Sequence, residues 1–163
     1  MEERTVRTVV IGSGCAGLNA ADTLAALGEK DVLLVTENMQ SGTSRNTGSD
    51  KQTYYKLSLA GDDGDSVGAM AATLKRGDVH GDTALCEAAG SAQCFFKLVS
   101  LGVPFPVNEY GEYVGYQTDH DVRKRATSAG PLTSRLMTEA LEKSVRSRKV
   151  EILDHTLAVR LET

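Results

Sequence analysis

The stretch Thr8-Val9-Val10-Ile11-Gly12-Ser13-Gly14-Cys15-Ala16-Gly17-Leu18 decides the fold. An apolar run enters G-x-G-x-x-G, and a helical pattern follows through Leu18, Ala21, Leu24, Ala25 and Leu27. Val32-Leu33-Leu34-Val35 is a second apolar run, leading into Thr36. Strand, glycine loop, helix and strand in this order make the dinucleotide-binding form of a βαβ unit. Gly12 permits the tight turn, Gly14 lets backbone approach a pyrophosphate, and Gly17 lets the helix pack close to the strand. Ser13, Cys15 and Ala16 complete the loop, and the helix N-terminus offers free N–H groups to phosphates. A glycine-rich turn that binds nothing accounts for one or two of these glycines. It does not account for three at this spacing.

Working outward, Val6 to Ile11 reads as a strand buried on both faces. Gly28 stands where a helix ends in a left-handed residue. An acid at the end of the second strand ordinarily holds the ribose hydroxyls of NAD or FAD. Here the register puts Thr36 at that place and Glu37 one step beyond. A one-residue slip moves a side chain to the other face. Either Thr36 and the local backbone make the contact, the favoured reading, or Glu37 reaches round. The polar, glycine-containing Ser41 to Asp50 lies past the strand end, where ligands bind, and reads as a cofactor-lining loop or a solvated one.

The rest of the chain reads as alternating helix and turn. Lys51 to Leu59 continues as a helix, and Gly61 to Asp65 is a turn without the downstream acid of a calcium loop. Asp65 or Ser66 caps a helix to about Arg76. Gly77 to Gly81 breaks the pattern and Asp82 caps the next helix, which packs through Leu85, Ala89, Ala92, Phe96 and Val99. Gly102 ends it, and Val103-Pro104-Phe105-Pro106 leaves extended. Glu112 to Tyr116 is one strand of a short hairpin, and Arg123-Lys124-Arg125 a basic loop, solvated or facing substrate or phosphate. Thr133 or Ser134 caps a helix holding Leu136, Met137, Ala140, Leu141 and Val145. Arg146, Arg148 and Lys149 suit its negative end. Val150 to Leu153 is a third core strand, and Thr156 to Leu161 a strand of a small antiparallel piece.

Composition narrows the function classes. The 163 residues amount to about one domain, residues 1–163, with 40% hydrophobic content and net charge −4. That balance gives no general pull toward nucleic acid or anionic membrane. Tryptophan is absent and aromatics make up 5%, which leaves little for base stacking. No apolar run reaches the roughly 18 residues of a membrane span, and no signal-peptide region precedes the first strand. A cytoplasmic location is the expectation. Three cysteines without C-x-x-C argue against a disulfide framework and against zinc. On one helix Cys86 and Cys94 stand about 12 Å apart, too far to bridge. Cys15 reads as a small space-filler beside the pyrophosphate, with a redox-active thiol as the alternative. His80, His120 and His155 are dispersed and form no metal or triad pattern. No catalytic residue is assigned.

Four segments together resemble the N-terminal part of the flavoprotein family of succinate dehydrogenase, fumarate reductase and L-aspartate oxidase. They are Val10 to Leu18; Val35-Thr36 with the following loop that contains Ser44; Gly81-Asp82 with the helix ending in Leu101-Gly102-Val103-Pro104-Phe105; and the Leu136 to Leu141 helix with the segment Leu157-Ala158-Val159-Arg160-Leu161. The resemblance covers nearly all of this chain and about a third of a typical two-domain member. It implies an α/β, Rossmann-like parallel sheet with helices on both faces and a small antiparallel piece. It implies FAD, with Ser44, Arg45 and Asn46 beside the flavin, backbone around Ala158 at the adenine, and Phe105 facing a dicarboxylate pocket. Membrane-complex members carry a flavin-linked histidine where this chain has Arg45, so the FAD is expected to be non-covalent. Gly48-Ser49-Asp50-Lys51-Gln52 replaces the usual Ala-Gly-Gly segment, which leaves the substrate open. The family's catalytic arginine and histidine, its capping domain and its second FAD segment are expected beyond Thr163. The implied activity is hydride transfer between flavin and a small substrate, with an iron–sulfur or other redox subunit and the remainder of the same enzyme as partners. A stand-alone nucleotide-binding module and an NAD-dependent dehydrogenase are the alternatives.

Overall fold

The computed structural model describes residues 3–61, 64–76 and 79–162. Asp62 and Asp63 of the predicted turn, and Gly77 of the predicted break, lie outside the described residues. Two compact units divide the chain: residues 1–48 with 134–163, and residues 49–133.

The first unit holds the parallel sheet. Strands β1 (Thr8–Ile11), β2 (Val32–Val35) and β6 (Glu151–Leu153) pair in the order β1-β2-β6. Helix α1 (Cys15–Ala26) joins β1 to β2, and α2 (Thr43–Asn46) is a single turn past β2. Helix α5 (Thr133–Ser147) precedes β6. β2 is flanked by a strand on each side, and all four of its residues are buried. β1 is an edge strand among the described residues, and the expectation of two buried faces fails there: Val9 is 50% and Ile11 64% exposed. β6 likewise is only half-buried. Helix α1 closes as Gly28 predicts. The Gly28 N–H donates to the Ala25 carbonyl and the Glu29 N–H to the Leu24 carbonyl, the paired bonds of a Schellman motif. Leu27, counted in the apolar stripe, is exposed at this turn.

The second unit joins helices α3 (Val67–Lys75) and α4 (Gly81–Ser100) to a small antiparallel sheet. Strands β3 (Tyr54–Tyr55), β4 (Tyr116–Thr118) and β5 (Asp121–Thr127) pair in the order β3-β5-β4. Phe95, Phe105, Tyr54 and Tyr113 form an aromatic cluster, with Phe95 and Phe105 4.8 Å apart between centroids. Beside it Arg125 is completely buried. Its guanidinium donates to both oxygens of Asp65 at 2.6 and 2.8 Å, to Asp121 at 3.1 Å, to Thr73 at 2.9 Å and to the Tyr55 hydroxyl at 3.2 Å. Every donor nitrogen is used, the condition under which a buried charge is tolerated. The bonds from Arg125 hold the Asp65 carboxyl far below the usual carboxylate range.

Several local expectations change. Lys51 to Leu59 is not a helix, because Tyr54 and Tyr55 ladder onto Thr127 and Ala126. Of the two possible caps of α3 the structure uses Ser66, whose Oγ accepts the Ala69 N–H at 3.1 Å. Helix α4 starts one residue before Asp82, with His80 at the N-cap. Its buried face is Ala84, Ala88, Ser91, Phe95 and Leu98, one residue out of step with the stripe read from sequence. Leu85 and Phe96 are exposed. The hairpin strand is Tyr116–Thr118 rather than Glu112–Tyr116, and Arg123-Lys124-Arg125 is part of β5 rather than a loop. Thr133 lies inside the first turn of α5, its hydroxyl donating to the Gly130 carbonyl at 2.6 Å. Thr156 to Leu161 forms no strand, since no described segment pairs with it, and Leu157, Val159 and Leu161 are exposed.

Two stability outcomes follow from this packing. Helix α5 ends in the same paired bonds as α1, but with Lys149 at φ 59° where α1 has glycine. Lys149→Gly should stabilise the chain by about 1 kcal/mol, read from urea unfolding. Lys56 is buried over the Phe95 ring with no carboxylate partner among the described residues, and burial pushes its ammonium down to about 8. The unfolded chain therefore binds the extra proton between about pH 8 and the ordinary lysine value of 10.5. Stability should rise with pH across that window. Lys56→Met should raise the melting temperature at pH 7, and the gain should fade above pH 8.

Candidate dinucleotide site

The site starts from a close contact between backbone atoms. A Cβ on Gly17 would lie 2.0 Å from the Gly12 carbonyl oxygen, so only glycine lets α1 start this close to the end of β1. Gly12 takes φ 100°, and its N–H donates to the Val35 carbonyl at 2.8 Å. The loop is thereby hung between β2 and α1. Gly14 is the N-cap of α1 in extended backbone. A Cβ there would meet only the Ser44 hydroxyl, at 3.4 Å. Gly12 and Gly17 are thus required by the fold, whereas Gly14 leaves open space at the mouth of the helix.

A cleft of about 290 Å³ opens at this mouth. Ile11 to Gly14, Val35 to Glu37, Ser41, Gly42 and Thr156 to Ala158 line it. All of these residues lie at or past the carboxyl ends of the three parallel strands, the place where open α/β sheets bind ligands. The backbone of the third wall is pinned to the second strand: the Thr36 N–H donates to Leu153 and the Thr156 N–H to Thr36, each at 3.0 Å. Asp154 closes the same wall by accepting the N–H groups of His155 and Met39, which hold its carboxyl below the usual range.

The predicted site residues divide into those at the cleft and those behind it. Gly12, Ser13, Gly14, Thr36, Glu37 and Ala158 line the cleft. The Thr36 hydroxyl is buried and shares a 2.8 Å hydrogen bond with Ser13 Oγ. Glu37 is exposed on the same wall. Cys15, Ala16, Gly17, Ser44, Arg45 and Asn46 stand outside the lining. The Cys15 N–H donates to Ser44 Oγ at 3.3 Å, and the Cys15 thiol contacts Thr138 Oγ1 at 3.0 Å. Arg45 is buried and paired with Glu142, and Asn46 is turned onto the Gln40 and Gly42 carbonyls. Phe105 lies in the aromatic cluster of the second unit at 6% exposure, so packing occupies the ring expected to face a dicarboxylate. Ser41 and Gly42 belong to the Ser41 to Asp50 stretch read as a cofactor-lining or solvated loop, and they line the cleft; Thr156 and Leu157 were not singled out as site residues. Their signal is position alone, one short step past a strand end. Among the described residues no group of His, Cys, Asp and Glu is placed to hold a metal, and no helix is long and apolar enough to cross a membrane.

The glycine cradle, the open Gly14 position and the cleft fit a dinucleotide, of which 290 Å³ holds a part. Comparison with known proteins identifies which one. The family model described as an FAD binding domain matches residues 7–163. No curated protein sequence matches the chain. Among solved structures, a mutant of Escherichia coli quinol fumarate reductase FrdA superposes with TM-score 0.81 at 16% identity, over 95% of this chain and 26% of that one. Mycobacterium smegmatis Sdh1 in complex with UQ1 gives 0.80 at 17%, over 95% and 28%. A 3-ketosteroid-Δ4-(5α)-dehydrogenase from Rhodococcus jostii RHA1 gives 0.68 at 16%, over 92% and 38%. These likenesses establish a shared fold, and the chain spans about a quarter of the length of the first two.

The two helix-start glycines should respond differently to a methyl group. Gly17→Ala should cost at least about 3 kcal/mol of stability, because backbone must move. Gly14→Ala should cost less than about 1 kcal/mol, because its neighbour is one hydroxyl at ordinary contact distance. Thermal unfolding of both variants separates the two cases.

Proposed function

The chain belongs to the FAD binding domain family, and from that premise we propose that it is the FAD-binding portion, residues 1–163, of a flavin-dependent oxidoreductase of the fumarate reductase and succinate dehydrogenase type. The observation that carries this reading is the cleft: a glycine loop, the end of β2 and the segment around Ala158 converge at the carboxyl edge of one parallel sheet.

Each residue has a role in this reading. The N-terminus of α1, with the loop from Gly12 to Gly17, holds the pyrophosphate through N–H groups and the positive end of the helix dipole. Glu37 accepts the ribose hydroxyls, because the Thr36 hydroxyl is engaged by Ser13. Thr36 acts one step back, fixing Ser13 and the strand end. Backbone at Ala158 borders the adenine. Ser44 and Asn46 shape α2 on the side of the loop that leads to the flavin. Arg45 occupies the place where a histidine would be needed for a covalent link, and its pairing with Glu142 supports non-covalent binding.

Bound FAD would supply hydride transfer to or from a small substrate, a dicarboxylate being the class the fold relatives suggest. The chain's own residues bind and orient. Among the described residues Glu37 is the one ionisable group lining the cleft, which supports a proton donor in the remainder of the same enzyme. A cytoplasmic enzyme handing electrons to an iron–sulfur or other redox subunit completes the proposal. An acid at the cleft would also serve NAD; membership of the FAD family favours flavin.

The purified chain should show the visible flavin spectrum, and acid precipitation should release all of the flavin into solution. Flavin left in the pellet would overturn the non-covalent reading, and tightly bound NAD without flavin would overturn the cofactor. Glu37→Gln should weaken FAD binding roughly tenfold, about 1.4 kcal/mol, as the loss of a charge-assisted hydrogen bond. Gly14→Ala should keep the fold and lose FAD affinity, because its methyl fills the pyrophosphate approach.

A further inference from the structure

A closed ring of polar contacts surrounds the start of α1. The Cys15 N–H donates to Ser44 Oγ at 3.3 Å. Arg45, the next residue on α2, forms an ion pair with Glu142 on α5, the two side chains being 8% and 14% exposed. One turn before Glu142 on α5, Thr138 donates to the Ser134 carbonyl at 2.7 Å. That spends the Thr138 hydrogen, so the Cys15 thiol donates to Thr138 Oγ1 at 3.0 Å and returns the ring to α1.

The ion pair is an unusual way to hold a one-turn helix. Arg45 Nε is buried with no acceptor among the described residues. A buried pair with an unsatisfied donor gains little or nothing in stability over apolar side chains of similar size. Glu142 also holds Arg146 at 2.8 Å, so its carboxylate is fixed from both sides. The feature that this arrangement does determine is where α2 stands, and α2 carries the hydroxyl lying against the first N–H of α1.

We propose that Glu142, acting through Arg45, is a positioning residue for dinucleotide binding: it holds α2 so that Gly42 lines the cleft and the Ser44 hydroxyl, behind the lining, braces the first N–H of α1. The inference rests on the reading of that cleft as the FAD site. Glu142 touches no cleft residue itself. It supplies preorganisation, which raises affinity by removing the cost of ordering α2 when ligand binds.

The test measures FAD affinity by flavin fluorescence and the visible circular dichroism of the bound flavin, alongside melting temperature. Arg45→Met combined with Glu142→Leu fills the same space without charge. Its melting temperature should match or exceed that of the unaltered chain, while FAD affinity falls about tenfold and the flavin dichroism changes. Arg45→Glu combined with Glu142→Arg restores a pair across the same gap and should recover affinity to within about threefold. A folded apolar double variant that binds FAD with unaltered affinity and dichroism would overturn the positioning role alone. Failure of the unaltered chain to bind FAD would overturn the underlying reading of the site, and the role with it. If the apolar variant does not fold, Glu142→Gln decides: FAD binding weakened several-fold and recovered in the charge swap supports the role, and a folded Glu142→Gln with unaltered affinity and dichroism overturns it.

Discussion

The packing of Gly17 against the Gly12 carbonyl is the contact on which the first unit depends. Any side chain at Gly17 would push α1 away from β1 by more than an ångström, since its Cβ would sit 2.0 Å from that oxygen. The displacement would carry the helix N-terminus with it. Cys15 would then leave Ser44, and the mouth of the cleft would widen at the helix N-terminus. The second anchor, the Gly12 N–H on Val35, ties the same loop to β2. One backbone contact and one backbone hydrogen bond therefore place the helix terminus and both strand ends at a common edge.

The two buried arginines show how charge serves different ends in one chain. Arg125 is wholly inside the second unit with all its donor nitrogens paired. Such a network is costly to break and specifies one arrangement of β5, α3 and Asp65, which makes it structural. Arg45 is buried on one carboxylate, its Nε without an acceptor among the described residues. Packing alone does not require an incomplete arrangement of that kind. The difference in satisfaction between the two side chains separates a residue that completes a core from one that fixes the edge of a site.

How much was legible from sequence depended on the range of the signal. The βαβ unit and the Schellman end of α1 at Gly28 are written in consecutive residues, and they stand as read. The face of α4 was one residue out because its sequence carries two stripes of the same spacing. The more hydrophobic stripe, Leu85 to Val99, lost to one containing Ser91, whose hydroxyl donates to the Ala88 carbonyl and accepts the Leu57 N–H. Burial of Arg125 was hidden for a related reason. A basic triplet looks solvated until Asp65, 60 residues earlier, is brought against it. Glu142 was illegible in the same way, 97 residues from Arg45. Pairings over such separations leave no local trace, and Thr156 to Leu161 shows the converse, since an alternating pattern does not make a strand without a partner.

At the end of β2, parity decides which side chain is buried and which is open to solvent. Thr36 and Glu37 both stand on the cleft wall, and either side chain carries an acceptor for a ribose hydroxyl. Successive residues leaving a strand point to opposite sides. The inward place falls to Thr36, and a small neutral hydroxyl suits it: the group is buried and satisfied by Ser13 at 2.8 Å. A carboxylate there would need a second donor or would have to take up a proton, because Ser13 offers only one hydrogen. The outward place falls to Glu37, where water solvates the charge. The absence of an acid at the usual position is therefore consistent with acid-mediated ribose recognition. Under the proposed function that acid is Glu37, one residue later, and the Thr36 hydroxyl before it bonds to Ser13 of the glycine loop.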